Sequence, residues 1–173
     1  MELRQAVKTF DAERGLVGET PVSVSPEFWQ AIEAREVMEG LLARLAALRR
    51  TDADLARLDA ALAQMQSAGD DIDAFNSGDF AFHVVLARAA HNDYLATRLA
   101  ALHGWVRGMI SLYTEIAFRE GQMDVLLDSH ERLAGAVARG DGDAATLLIG
   151  EIMERLREHA VALVGPGRSE ASG

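Results

Sequence analysis

Apolar residues recur at three- and four-residue intervals through most of the chain, the spacing of one face of an α-helix. Phe28, Ile32, Val37, Leu41, Leu42, Leu45 and Leu48 keep that spacing and predict a helix running to about Arg50. Ser25-Pro26-Glu27 supplies its start: an N-cap, a proline in the first turn and an acid near the positive end of the helix dipole. Thr51-Asp52-Ala53-Asp54 reads as a capping box with Asp in place of Glu, opening a second helix that carries Leu55, Leu58, Leu62 and Met65. A break at Ser67–Asp71 precedes a third helix, from about Asp71 to Ala90, with Phe75, Phe82, Val85 and Leu86. Asn92 caps a long fourth helix bearing Leu95, Leu99, Val106, Met109 and Tyr113. Gly121 separates it from a fifth, with Val125, Leu126, Leu133 and Val137. The tight Arg139–Asp143 connection leads to a last helix with Leu148, Ile149, Ile152 and Leu156, stopped at Gly165-Pro166-Gly167.

The proline pattern strengthens this picture. None of the three prolines falls between Glu27 and Gly165, and runs of β-branched residues are nearly absent, so a sheet has little to be built from. Short loops between amphipathic helices imply an antiparallel bundle. The N-terminal part differs. Leu3, Ala6, Val7 and Phe10 suggest a short amphipathic helix, and Gly15-Leu16-Val17 opens a hairpin through Val24.

Charge and cysteine content narrow the function. Seventeen basic against 27 acidic residues give a net charge of −10, a poor electrostatic match for nucleic acid. With no cysteine, disulfide frameworks, zinc fingers and thiol nucleophiles are excluded. No apolar run approaches the length of a membrane span, and the first residues are too polar for a secretory signal, which points to the cytoplasm.

Few residues can carry chemistry. Asp79 and His83 are four apart, so on a helix both reach one point; His130, on another predicted helix, can be brought opposite. Carboxylate and imidazole suit Zn, Ni, Mn or Fe. The same spacing also describes an ordinary structural pair, and His91, His103 and His159 read as hydrogen-bonded or solvated histidines. Arg35 interrupts an apolar helix; it either points inward to pair with a carboxylate or bridges to Glu39 one turn on. Glu-x-x-His, Gly-x-Gly-x-x-Gly, Walker and nucleophile-elbow motifs are missing, and no general base stands beside the Asp–His–His trio.

Taken in order, Ala34-Arg35-Glu36-Val37-Met38-Glu39, Leu45-Ala46-Ala47, Asp79-Phe80-Ala81-Phe82-His83, Asn92-Asp93-Tyr94-Leu95 and Ser129-His130-Glu131 with Gly140-Asp141 downstream form a familiar series. It resembles the C-terminal effector domain (FCD) of FadR-type GntR transcription regulators, over about Phe28 to Ala162. The resemblance implies an all-α antiparallel bundle of six to seven helices, preceded by a short remnant of a winged helix-turn-helix. It implies residues 1–24 as that remnant or a linker, 25–165 as the effector domain and 166–173 as a disordered tail. It further implies a homodimer, a small organic-acid effector, and a divalent metal, Zn or Ni, on Asp79, His83 and His130, with Arg35 and Asn92 at the effector. The family's third His falls on Ile152, which leaves either a three-ligand site with open positions or a metal-free cavity.

The expected function is therefore effector sensing and dimerisation in a regulator, not catalysis. DNA would be reached only through a winged helix largely absent from this chain. The alternatives are a small metal-dependent helical hydrolase, or a dimerising interaction protein that has lost DNA binding.

Overall fold

The computed structural model describes residues 9–11, 16–18 and 26–164. The fold is an all-α bundle of six helices: α1 (Pro26–Arg49), α2 (Asp52–Ser67), α3 (Ile72–Ala89), α4 (Asp93–Arg119), α5 (Met123–Arg139) and α6 (Gly142–Val164). They follow a two-stranded antiparallel hairpin, β1 (Thr9–Asp11) and β2 (Leu16–Gly18), with Phe10 opposite Val17. Two expectations are corrected here. Phe10 is in a strand rather than on a helix, and the hairpin forms between Thr9 and Gly18 rather than opening at Gly15. Leu3, Ala6, Val7, Val24, the Ser25 cap and the tail after Val164 lie outside the described residues.

The helix boundaries come from local chemistry. At α2 the capping box is complete: Asp54 N donates to Thr51 Oγ1 (3.2 Å), and Thr51 N donates back to Asp54 Oδ2 (3.0 Å). The Asp71 side chain caps α3 by accepting from Ala74 N, and Asn92 caps α4 by accepting from Leu95 N. Gly140 ends α5 in the left-handed region (φ 75°), where a side chain would be strained, so the chain reverses in two residues.

Helix α1 is the axis of the bundle and packs against α3, α4, α5 and α6. Its inner face contributes Phe28, Ile32, Leu42, Ala43 and Ala46 to a core shared with Phe82, Leu86, Val106, Leu133 and Ile149. Helices α2 and α3 touch closely at Gly78, where a Cβ would lie 2.8 Å from Met65 Cγ and 3.0 Å from its backbone nitrogen. The expected apolar face of α1 splits in two: Val37 (68% exposed), Leu41 (45%) and Leu48 (63%) point away from the core.

Candidate functional site

Helix α3 presents Asp79 and His83 one turn apart toward the bundle centre, and α5 brings His130 to meet them. Asp79 Oδ1 lies 3.0 Å from His130 Nε2 and 3.7 Å from His83 Nε2, and the two Nε2 atoms are 3.3 Å apart. Two donors each about 2.1 Å from a tetrahedral zinc sit about 3.4 Å from one another, so this triangle has the size of one face of such a site. The tautomers also suit it. His130 Nδ1 donates to Leu126 O (2.8 Å), so it carries the proton and leaves Nε2 a lone pair. Both histidines are buried. Two imidazole lone pairs aimed at each other repel unless a proton or a cation lies between them.

Behind this trio lies a residue that the sequence reading treated only as a partner for Arg35. Glu39 is buried on the inner face of α1 and is the hub of a network. Its Oε1 accepts from Arg35 Nε and bonds His103 Nε2 from α4, and its Oε2 lies 2.7 Å from His83 Nδ1, off hydrogen-bond alignment. A carboxylate on that side of His83 favours the Nδ1–H tautomer and again leaves Nε2 to a ligand. Burial opposes ionisation of Glu39, but Arg35, His83 and His103 together outweigh it and hold the carboxyl well below the usual range. At Asp79 burial is likewise overcome by the His130 hydrogen bond and the charges of His83 and His130, so its pKa is lowered. His83 is pushed down by burial despite Glu39. At His130 burial lowers the pKa, but the Asp79 hydrogen bond, the Asp79 charge and the bond to Leu126 together outweigh it, so the pKa is raised.

The trio forms one wall of a cavity lined also by Arg35, Tyr113, Ser129, Ile152 and Arg155. Ile152 thus faces the same cavity as Asp79, His83 and His130. Arg155 extends from α6, its Nη1 donating to Ser129 Oγ (2.6 Å). Burial raises the Tyr113 phenol to about 12 and keeps it a neutral donor. The free volume is small, about 30 Å³, room for about one water.

The two effector candidates are placed differently. Arg35 lines the cavity, with its Nε donating to the buried Glu39 carboxylate. Asn92 is not among the residues lining this cavity; its Oδ1 caps α4 by accepting from Leu95 N. The cavity guanidinium that the sequence reading missed is Arg155. Its signal was present: it follows Ile152 by three residues, so both share a helix face.

The family model of the FCD domain matches residues 30–155. The chain belongs to the FCD family. Among curated relatives of this FCD domain are the galactonate operon transcriptional repressor of Escherichia coli K12 and the HTH-type transcriptional regulator LutR of Bacillus subtilis 168. The first is 32% identical over 130 residues, covering 73% of this chain and 56% of the repressor. LutR is 35% identical over 118 residues, covering 67% of this chain and 54% of LutR. The chain therefore spans about half the length of these curated relatives. Similar solved structures include E. coli McbR/YncC (TM-score 0.63, 19% identity, 80% of this chain and 68% of that one) and Streptococcus agalactiae GntR (TM-score 0.62, 17% identity, 88% and 75%). At that identity the likeness shows a shared fold. No helix among the described residues is long and apolar enough to cross a membrane.

Proposed function

We propose that this FCD domain is the effector-sensing and dimerising part of a GntR-type transcription regulator, holding a divalent cation on Asp79, His83 and His130. The observation that carries the reading is the convergence of three ligand atoms from two helices, all within 4.8 Å of one another, on the wall of a cavity. A cation there offers its open positions to a carboxylate, and Arg155 supplies a guanidinium for the same anion. An organic acid is the effector class that this pairing favours. One relative is named for a galactonate operon, and galactonate is such an acid.

The cavity's small volume gives the domain a way to respond. Room for about one water does not admit an organic acid, so an entering acid displaces side chains between α4, α5 and α6. A ligand that binds the opened arrangement better shifts the population toward it, and two-fold association passes the shift to whatever the dimer carries.

The test is calorimetric titration of the chelator-stripped chain with Zn²⁺ and Ni²⁺, alongside His83→Ala. Saturable one-to-one binding lost in His83→Ala supports the reading. Equal heats in the two proteins overturn the metal. A panel of hydroxy and keto acids then follows on the metal-loaded chain. A melting shift reduced at least tenfold in apparent affinity by Arg155→Ala supports the acid, and no response to any acid removes it.

A further inference from the structure

His83 borders two cavities of very different size. The one beside the Asp79–His130 trio has about 30 Å³ of room, whereas a second, between the end of α3 and the first half of α4, has about 320 Å³. The larger value lies within the range of small-molecule sites. Its space comes from side-chain size: Ala87 on α3 and Ala96 and Ala100 on α4 line the cleft, where larger residues would close it. Val84 and Leu99 complete apolar walls.

The polar groups of this cleft are few and have bonding capacity left. At its buried end stands His103 (2% exposed), whose Nε2–H donates to the Glu39 carboxylate, so the neutral ring keeps a lone pair on Nδ1. That Nδ1 has no hydrogen-bond partner among the described residues. The two ring nitrogens point to different sides, so Nδ1 is turned away from Glu39. At the exposed end, Arg88 lies on the last turn of α3 and Asp93 on the first turn of α4, where the helix ends favour each sign. Neither side chain has an ion pair or a hydrogen bond among the described residues, so they do not pair with each other.

A ligand that satisfies all of these groups carries both charges at one end, an apolar body, and a hydrogen-bond donor at the other end. An α-amino acid holds its ammonium and carboxylate on one carbon. We propose that the α3–α4 cavity binds a free α-amino acid whose uncharged side chain ends in a hydrogen-bond donor, with its carboxylate on Arg88, its ammonium on Asp93 and the side-chain donor on His103 Nδ1. Asp79 and His130 do not line this cavity, so the site needs no metal. An organic acid without an ammonium meets the Asp93 charge unanswered, so this site and the proposed effector cavity select different ligands.

The test is calorimetric titration of the chelator-stripped full chain with L-tyrosine and L-glutamine. Saturable one-to-one binding of at least one is expected, and it should be retained in His130→Ala. Removing the donor, with L-phenylalanine for tyrosine or L-norleucine for glutamine, should cost at least about tenfold in affinity. Arg88→Gln and Asp93→Asn should each weaken binding at least about fivefold, the scale of one charged hydrogen bond. Ala96→Phe fills the cleft and should abolish binding with helical circular dichroism unchanged; if it does not fold, the two charge variants decide. Absence of saturable heat with both amino acids at millimolar concentration overturns the site. So does binding unchanged in both charge variants, or tyramine binding as tightly as tyrosine. Binding lost in His130→Ala places the ligand beside the trio and overturns this site while leaving the proposed function standing.

Discussion

Two clusters in this molecule are made of the same parts, histidine, carboxylate and arginine. One is Glu39 with Arg35, His83 and His103, continued by Asp79 and His130 at the bundle centre. The other closes the α1–α2 corner: Asp54 accepts from Arg57 Nη1 (3.0 Å), lies 2.9 Å from His91 Nε2 and completes the cap of Thr51. What separates them is water. The Glu39 cluster is sealed by the core, whereas the His91 side chain is 49% exposed. At the corner Arg57 and His91 reach solvent and can fall back on it when a partner is lost, although Asp54 between them is itself buried, and the cluster is a local clip. Without water each charge depends on the others, and removing one leaves the rest stranded.

The largest effect should therefore come from Glu39→Ala. It leaves the Arg35 guanidinium buried without its carboxylate and takes the partner from His83 and His103. Loss of one member of a buried pair costs about 3–5 kcal/mol, read by urea denaturation of metal-free protein. A loss below about 1 kcal/mol would show that water reaches Arg35, and the contrast between the clusters would collapse.

That contrast also explains what the sequence disclosed. Caps and breaks are local, so the α2 capping box, the Asn92 cap and the Gly140 turn were legible from neighbouring residues. Asp79 and His83 share a helix face by spacing alone, whereas His130 could be set opposite them only because a bundle interior can bring another helix there, a placement that the resemblance then supported. Glu39 was read only as the alternative partner of Arg35, because its position among Ile32, Arg35, Leu42 and Ala46 looks like a surface pair until the side of α1 that faces in is known. The same uncertainty placed Val37, Leu41 and Leu48 on one face with Ile32 and Leu42; an α1 apolar on both sides has no single face for a period to pick out. Asn92 was read both as the cap of α4 and as an effector residue; the cap is a local signal, and the structure has Oδ1 accepting from Leu95 N.

The second effect sharpens what burial permits. Ile152 borders the cavity that holds the three ligand atoms, so Ile152→His offers a further imidazole from α6. We expect at least a tenfold gain in Zn²⁺ or Ni²⁺ affinity, about 1.4 kcal/mol, abolished by adding His83→Ala. Metal that binds the native fold alone raises its melting temperature, so the gain is read as a larger metal-dependent shift. Without metal the variant should be slightly less stable, since a buried imidazole needs partners that Ile does not. Equal behaviour in chelator and in metal would separate Ile152 from the trio.

The third effect belongs to the α1–α2 corner, where buried Asp54 meets partners that reach solvent. Asp54→Ala should cost about 1–2 kcal/mol, the scale of a lost helix cap. Backbone and side-chain bonds from Thr51 lower the Asp54 pKa, with burial opposing and His91 adding to the lowering. A carboxylate held below its unfolded value of about 3.9 stabilises the fold at any pH above that value, and the contribution fades as pH falls through the folded pKa. The gap between wild type and Asp54→Ala should therefore be constant from pH 7 to about 5 and narrow below about 4. A gap that widens on acidification would reverse the sign of the shift.

The smallest effect separates ring from backbone at His91, which holds a left-handed conformation (φ 48°) at the α3–α4 turn. His91→Ala loses the Asp54 contact and keeps a side chain in that region. For a half-exposed pair the cost should be only about 0.2–1 kcal/mol. His91→Gly loses the same contact but frees the backbone, since glycine adopts positive φ without a Cβ clash. The glycine variant should then be the more stable of the two by about 0.5–1 kcal/mol, near wild type. If alanine is the better replacement, the turn relaxes without the ring and His91 holds the corner through Asp54 rather than the reverse.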